Sequence, residues 1–218
     1  QARQSSQTAI TSLSDFVERY PNARDARLAL ARLLISEKQY DAARVQFDRL
    51  IQDNPDNPEV IYPVAMLALQ QGDAVTGRAQ LEKLLNSDFP DKSTLHFFIG
   101  QIDEDKKQLE PALQHYRQVT VGEQYINARA RAAQILLKLG RPEEAREMIR
   151  GTQASSNTER TQLTLAESQL LRESGKHTEA YALLESALSK QPDNTELLYE
   201  TALTSERLGK TDVLEKHL

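Results

Sequence analysis

One residue position recurs along this chain at an almost constant interval. Ala9, Ala43, Gly77, Ala112, Ala145, Ala180 and Leu214 are separated by 34, 34, 35, 33, 35 and 34 residues. Four residues after each stands a large apolar side chain: Leu13, Phe47, Leu81, Tyr116, Ile149, Leu184 and Leu218. Twelve residues before it, from the second unit onward, stands a small one: Ala31, Ala65, Gly100, Ala133, Ser168 and Ala202. A period of this length marks a stack of similar supersecondary units, each too small to bury its own apolar face.

The columns describe a helical hairpin. Small residues on two helices joined by a short turn let the backbones approach at the close end of the usual 8–10 Å range. The large residue one turn later fills the gap toward the next hairpin. Turn signals fall where this requires them. Gly72, Gly140, Gly175 and Gly209 share a column five residues before the marker, where a first helix needs a left-handed C-cap. Pro21, Pro55 and Pro192 close second helices, and Pro90 does so one residue out of register. Asn57-Pro58 and Asn194-Thr195 read as N-cap pairs for the helices that follow.

"LALARLLISEKQYDAARVQFDRLIQDNP" (28–55) and "IGQIDEDKKQLEPALQHYRQV" (99–119) resemble the tetratricopeptide repeat family. The resemblance covers essentially the whole chain. It implies an all-α, right-handed superhelical solenoid of antiparallel hairpins. The expected array is single: a half repeat at 1–23, repeats at 24–57, 58–92, 93–125, 126–160 and 161–194, and a truncated one at 195–218. Departures concern individual units. No repeat has the family's Trp, the fourth and fifth lack the Pro, and Glu167-Ser168 is a poor substitute for Leu-Gly. The register starts and stops mid-hairpin, which leads us to expect a fragment of a longer solenoid. "RGTQASSNTERTQ" (150–162) is read as a long inter-repeat turn or as a hinge between two sub-arrays.

Composition narrows the function. The net charge of −5 argues against a nucleic-acid surface, which needs a basic stripe. The absence of cysteine removes disulfide frameworks, zinc–thiolate sites and thiol nucleophiles. No apolar run approaches the roughly 18 residues of a membrane span. The four histidines, His96, His115, His177 and His217, show no metal-ligand spacing, and the shared column of His115 and His217 suggests surface positions. "SGKHT" and "LGKTD" lack the upstream glycine of a phosphate loop and follow helices rather than strands. Asp103, Glu104 and Asp105 read as a solvated helix face. With no residue set for catalysis, cofactor or metal, the chain is expected to be no enzyme.

A binding surface remains. The family resemblance implies that first helices line a concave face at repeat positions 2, 5, 9, 12 and 13. Mapped here, the larger groups are Leu28, Arg32 and Ile35; Tyr62, Met66 and Leu69; Phe97 and Gln101; Gln134, Gln169 and Arg172; Tyr199 and Leu203. We take Arg32, Tyr62, Met66, Leu69, Phe97, Gln101, Gln134, Gln169 and Tyr199 as candidate protein-binding residues. Tyr62 and Phe97 have a second reading, as packing between hairpins. The family's Lys/Asn/Arg clamp for a peptide carboxylate has no match at Asp25, Leu28, Arg32, Tyr62 and Met66. "VIYPVAMLALQQGD" (60–73) and "LLYETALTSERLGKTDVLEKHL" (197–218) further resemble the arrays of Gram-negative tetratricopeptide lipoproteins. That resemblance implies a periplasmic, outer-membrane-anchored adaptor for a carboxyl-terminal processing protease or its substrates; without it the chain reads as cytoplasmic. The alternative is a self-assembly module that stacks through ends near Leu13 and Leu218.

Overall fold

The computed structural model describes residues 2–209, with side chains from residue 5 onward. Among the described residues the chain forms twelve α-helices and no strand. They are α1 (Ala2–Arg19), α2 (Arg24–Ser36), α3 (Tyr40–Asp53), α4 (Pro58–Gln70), α5 (Ala74–Leu85), α6 (Lys92–Asp105), α7 (Leu109–Gln118), α8 (Tyr125–Lys138), α9 (Pro142–Arg150), α10 (Asn157–Glu173), α11 (His177–Leu188) and α12 (Thr195–Arg207). Two compact units result, Gln1–Leu95 and His96–Leu218, divided inside α6. The marker residues Leu214 and Leu218, and His217, lie outside the described residues.

Local chemistry sets the helix ends. Asn57, Asp73, Ser156 and Asn194 each accept a hydrogen bond from a backbone N–H in the first turn of α4, α5, α10 and α12. First helices end on a left-handed residue, at Gly72, Gly140, Gly175 and Gly209 with φ of 79°, 75°, 74° and 68°. The same column is left-handed without glycine at Lys38 (60°) and Lys107 (59°). At Gln39, Asp73, Gln108, Arg141 and Lys176 the next N–H then bonds to the carbonyl five residues back, closing a Schellman turn.

Within the first unit, α2 packs on α3 and α4 on α5, with α1 against α2 and α3 against α4. Ala31, Ala43, Ala65 and Phe47 are fully enclosed. A Cβ built at Gly77 would come within 2.7 Å of Leu69 Cγ, so that position is small because two helices touch there. Ala9 differs from its column mates. It is exposed, because no first helix of its own hairpin lies beside α1 among the described residues.

In the second unit α8 packs on α9 and α10 on α11, with α7 against α8 and α12 against α11. Ala112, Ala133, Ala145 and Ala180 are buried, as are Tyr116, Ile149 and Leu184. A Cβ at Gly100 would meet Tyr116 Cε1 at 2.8 Å. Glu167, the departure from the family pattern, is buried and ion-paired: its Oε1 lies 2.7 Å from Arg150 Nε and 3.3 Å from Arg146 Nε. Residues 150–162 fall inside this unit, with α9 packed on α10 across them. The turn is held by Glu159, whose carboxylate accepts from Ser155 N–H (2.6 Å) and Ser155 Oγ (2.7 Å). Those bonds hold the Glu159 carboxyl below its usual pKa.

Candidate functional site

The first-helix candidates differ in what their side chains do. In the first unit Arg32 is exposed on α2, and Tyr62 and Met66 are half-buried on α4. Tyr62 stacks on Phe89 of the loop after α5, with centroids 5.5 Å apart and planes 20° off parallel. Burial, and then the Asp91 carboxylate, raise its phenol pKa. One face of the ring therefore packs and the rest remains open. Leu69 is committed inward, over Gly77. Leu28 is buried.

In the second unit Phe97 corrects the sequence reading. It is 3% exposed and lies 5.8 Å from both the Phe98 and Tyr116 rings, so it belongs to the core and lines no surface. Gln101 is half-buried. Gln134 Nε2 donates to Gln169 Oε1 at 3.2 Å, and Gln169 Nε2 donates to Glu173 at 2.8 Å, a polar ladder across α8 and α10. Arg172 bonds Glu200 and, at 3.3 Å, Thr204 Oγ1. Tyr199 on α12 is 63% exposed.

A cavity of about 580 Å³ opens between the starts of α8 and α10, lined by Ile126, Asn127, Ala130, Thr158, Glu159 and Gln162 among others. Asn127 and Ala130 occupy repeat positions 2 and 5 of α8, and Gln162 position 2 of α10. The sequence reading named these positions but followed only the bulky groups in them; the signal was the position, not the size. A smaller hollow in the first unit, about 250 Å³, lies between α3, α4 and α5, over Phe47, Ile51 and Leu67.

The histidine reading also changes. His115 does not face solvent alone; its column faces the fourth position of the first helix in the same hairpin. His115 Nδ1 lies 3.0 Å from His96 Nδ1, and its Nε2 lies 3.9 Å from a carboxylate oxygen of Asp103, which is wholly buried. Asp103 therefore leaves the solvated face assigned to it, and Glu104, half-buried and accepting from Tyr116 Oη and Arg131 Nη1, leaves it too, while Asp105 is exposed. The column pairing recurs in the first unit, where Arg27 Nη1 donates to Gln46 Oε1 at 2.8 Å. Among the described residues no group of three or more His, Asp or Glu side chains is placed to hold a metal ion. None of the described helices is long and apolar enough to cross a membrane.

A sequence profile of tetratricopeptide repeats matches residues 2–67 and 34–102, and a profile of the N-terminal TPR repeats region of Psidin matches residues 103–210. The chain belongs to the tetratricopeptide repeat (TPR) family. A TPR repeat-containing protein of Pseudomonas aeruginosa is 28% identical over 123 residues, which are 56% of this chain and 21% of that protein. Solved TPR structures share the fold at lower identity. YrrB, described as a TPR protein with an unusual peptide-binding site, superposes with a TM-score of 0.61 at 16% identity, covering 86% of this chain and 96% of YrrB. PilW, a type IV pilus biogenesis factor, gives a TM-score of 0.62 at 18% identity, covering 91% of each chain. Membership of the TPR family supports a protein–protein interaction scaffold, and TPR proteins are generally non-catalytic.

Proposed function

We propose that the chain is a non-enzymatic scaffold that takes an extended peptide segment or a protein partner on its first-helix faces. The observation that carries this is the cavity at positions 2 and 5 of α8 and position 2 of α10, followed along the same helices by the Gln134–Gln169 ladder at position 9. Amide side chains both donate and accept, so they suit the backbone of an extended partner. In the first unit Arg32, Tyr62 and Met66 form the corresponding set, with the aromatic and Arg content common in binding hot spots.

A photo-crosslinking amino acid placed at Arg32, Gln101 or Gln134 in the full-length protein, expressed in its native cell, tests the assignment. Partner adducts should form from these sites and not from Val45 or Val75, exposed on second helices. Adducts from Val45 and Val75 alone would move the site to the opposite face.

The finer proposal is an adaptor for a carboxyl-terminal processing protease or its substrates, in the periplasm and anchored at the outer membrane. Its support is the likeness of residues 60–73 and 197–218 to Gram-negative TPR lipoproteins. Mass spectrometry of the crosslinked species and cell fractionation decide it; adducts without protease or substrate peptides count against it.

A second reading has one specific observation. Phe16 on α1 and Tyr20 just after its end are 46% and 51% exposed, with ring centroids 4.8 Å apart. We propose as the alternative that this face stacks on another copy. Light scattering should then show concentration-dependent oligomers that Phe16→Ser with Tyr20→Ser abolishes; a monomer at all concentrations rejects it.

A further inference from the structure

We infer that His96 and His115 form an acid-sensitive latch between α6 and α7, held while the pair carries at most one extra proton and opened by a second. The two imidazoles meet head-on, with Nδ1 atoms 3.0 Å apart and ring centroids 5.2 Å apart. A bond between two ring nitrogens needs a proton on one and a lone pair on the other. The neutral pair meets that condition. So does the pair with one imidazolium, whose bond is charge-assisted and stronger. The doubly protonated pair does not: both Nδ1 atoms then carry hydrogen, no acceptor is left, and two like charges face each other. The same two repeat positions hold Arg27 and Gln46 in the first unit, a donor and an acceptor whose roles do not change with pH.

Asp103 decides where the first proton goes. Wholly buried, it places a carboxylate oxygen 3.9 Å from His115 Nε2. Its column is Leu34, Ala68, Leu136 and Leu171 in other repeats, where packing alone calls for an apolar group. An opposite charge favours the imidazolium, so His115 takes the first proton and donates from Nδ1 to His96. The second proton falls to His96. Other charges on the surrounding elements are engaged elsewhere. On α6, Glu104 takes Tyr116 and Arg131, and Lys92 and Asp105 are exposed. On α7, Glu110 pairs with Arg141, and Arg117 with Glu144. On α8, packed on α7, Arg131 and Lys138 turn to Glu104, and Arg129 lies over the Tyr125 ring. In the first unit Arg78 pairs with Glu82 and Lys83 with Asp56, and Asp91 accepts from Thr94 N–H in the first turn of α6. Once the hairpin opens, each histidine takes a proton near its ordinary pKa of about 6.5. The latched hairpin holds one proton and the open one two. The latch is therefore whole above about pH 6.5 and is lost as pH falls below it, by up to about tenfold in the opening equilibrium per pH unit.

The test follows the histidine ring signals and the amide hydrogen exchange of the full chain by NMR as pH is lowered. His115 should titrate above about pH 6.5 and His96 at least about one unit below it. After correction for intrinsic exchange, opening of α6 and α7 should rise about tenfold between about pH 6 and 5, and that of α2 and α3 far less. In His96→Gln the amide oxygen accepts from His115 at any pH, so the acid opening should disappear while His115 still takes its proton. Asp103→Asn should lower the pH at which His115 titrates. If His96→Gln loses its fold by circular dichroism, His115→Gln supplies the comparison, with the residue that Gln46 and Gln80 place in that column. Equal acid opening in wild type and in the folded variant overturns the proposal, as do two histidines that titrate together near their ordinary pKa.

Discussion

Individual residues carry this fold through size and backbone conformation. Lys38 and Lys107 hold the left-handed turn that glycine holds in the other hairpins, at a cost of about 1–2 kcal/mol for a side chain in that conformation. Glycine also raises the entropy of the unfolded chain, which offsets part of the gain. Lys38→Gly and Lys107→Gly should each stabilise by about 0.5–1 kcal/mol, read as a higher denaturant midpoint at unchanged slope. Gly100 is the opposite case. A methyl group there meets the Tyr116 ring, which is enclosed and whose hydroxyl donates to Glu104 at 2.8 Å, so it cannot swing away. Gly100→Ala should destabilise by about 1–3 kcal/mol. At Gly77 the clash is with the branch carbon of Leu69 as well as its tip, at 2.7 Å from Cγ, so Gly77→Ala should likewise destabilise by about 1–3 kcal/mol. Tyr181 gives a pH signature. Burial and its hydrogen bond to Glu185 raise its pKa from 10.0 to about 12. Its contribution to stability is therefore whole below pH 10 and is lost as pH rises through about 12. Absorbance at 295 nm should lose one late-titrating tyrosine in Tyr181→Phe and keep those of Tyr62 and Tyr116, whose pKa values burial also raises.

At the scale of the element, polar groups replace apolar ones where consecutive hairpins meet in the second unit. Glu104 of α6 lies 3.0 Å from Arg131 of α8, and Glu167 of α10 takes Arg146 and Arg150 of α9. A buried carboxylate of this kind is costly unless paired, and pairing often only restores what an apolar residue would provide. Glu167→Ala should lower stability by about 1–3 kcal/mol, since it removes the charge-assisted hydrogen bonds of two guanidinium groups. Glu167→Leu should recover most of that loss, because Leu30 and Ile99 occupy the same column in other hairpins. Thermal melts of the two variants separate the contributions of charge and volume. The candidate surface depends on the same logic. Gln134 and Gln169 hold each other in place, so truncating either loosens its neighbour as well as removing a contact.

For the molecule as a whole, the repeat design makes stability local. Each hairpin touches mainly its neighbours, so unfolding need not be all-or-none. Ala43 is fully enclosed between α2 and α3, and Ala43→Leu should destabilise by about 1–3 kcal/mol through overpacking. Hydrogen exchange should show the loss concentrated in α2, α3 and their neighbours, with protection in the second unit unchanged. Uniform loss through all helices would mean a single cooperative body.

The sequence by itself determined the period, the hairpin, the turns and the packing columns, because these depend on residue size and local conformation at fixed spacing. Ala43, Phe47 and Gly72 could be assigned from spacing alone. It also marked the first-helix positions, though not which side chains there stay available. Phe97 and Tyr62 are both aromatics near the start of a first helix, yet one is sealed by Tyr116 and the other rests on a loop ring with its remainder open. Only the tertiary structure decided that, since burial is set by residues from neighbouring helices. The pairing of His96 with His115, nineteen residues apart on two helices, has the same origin. Ligand spacing along one helix is a property of sequence; proximity across a hairpin is a property of the fold.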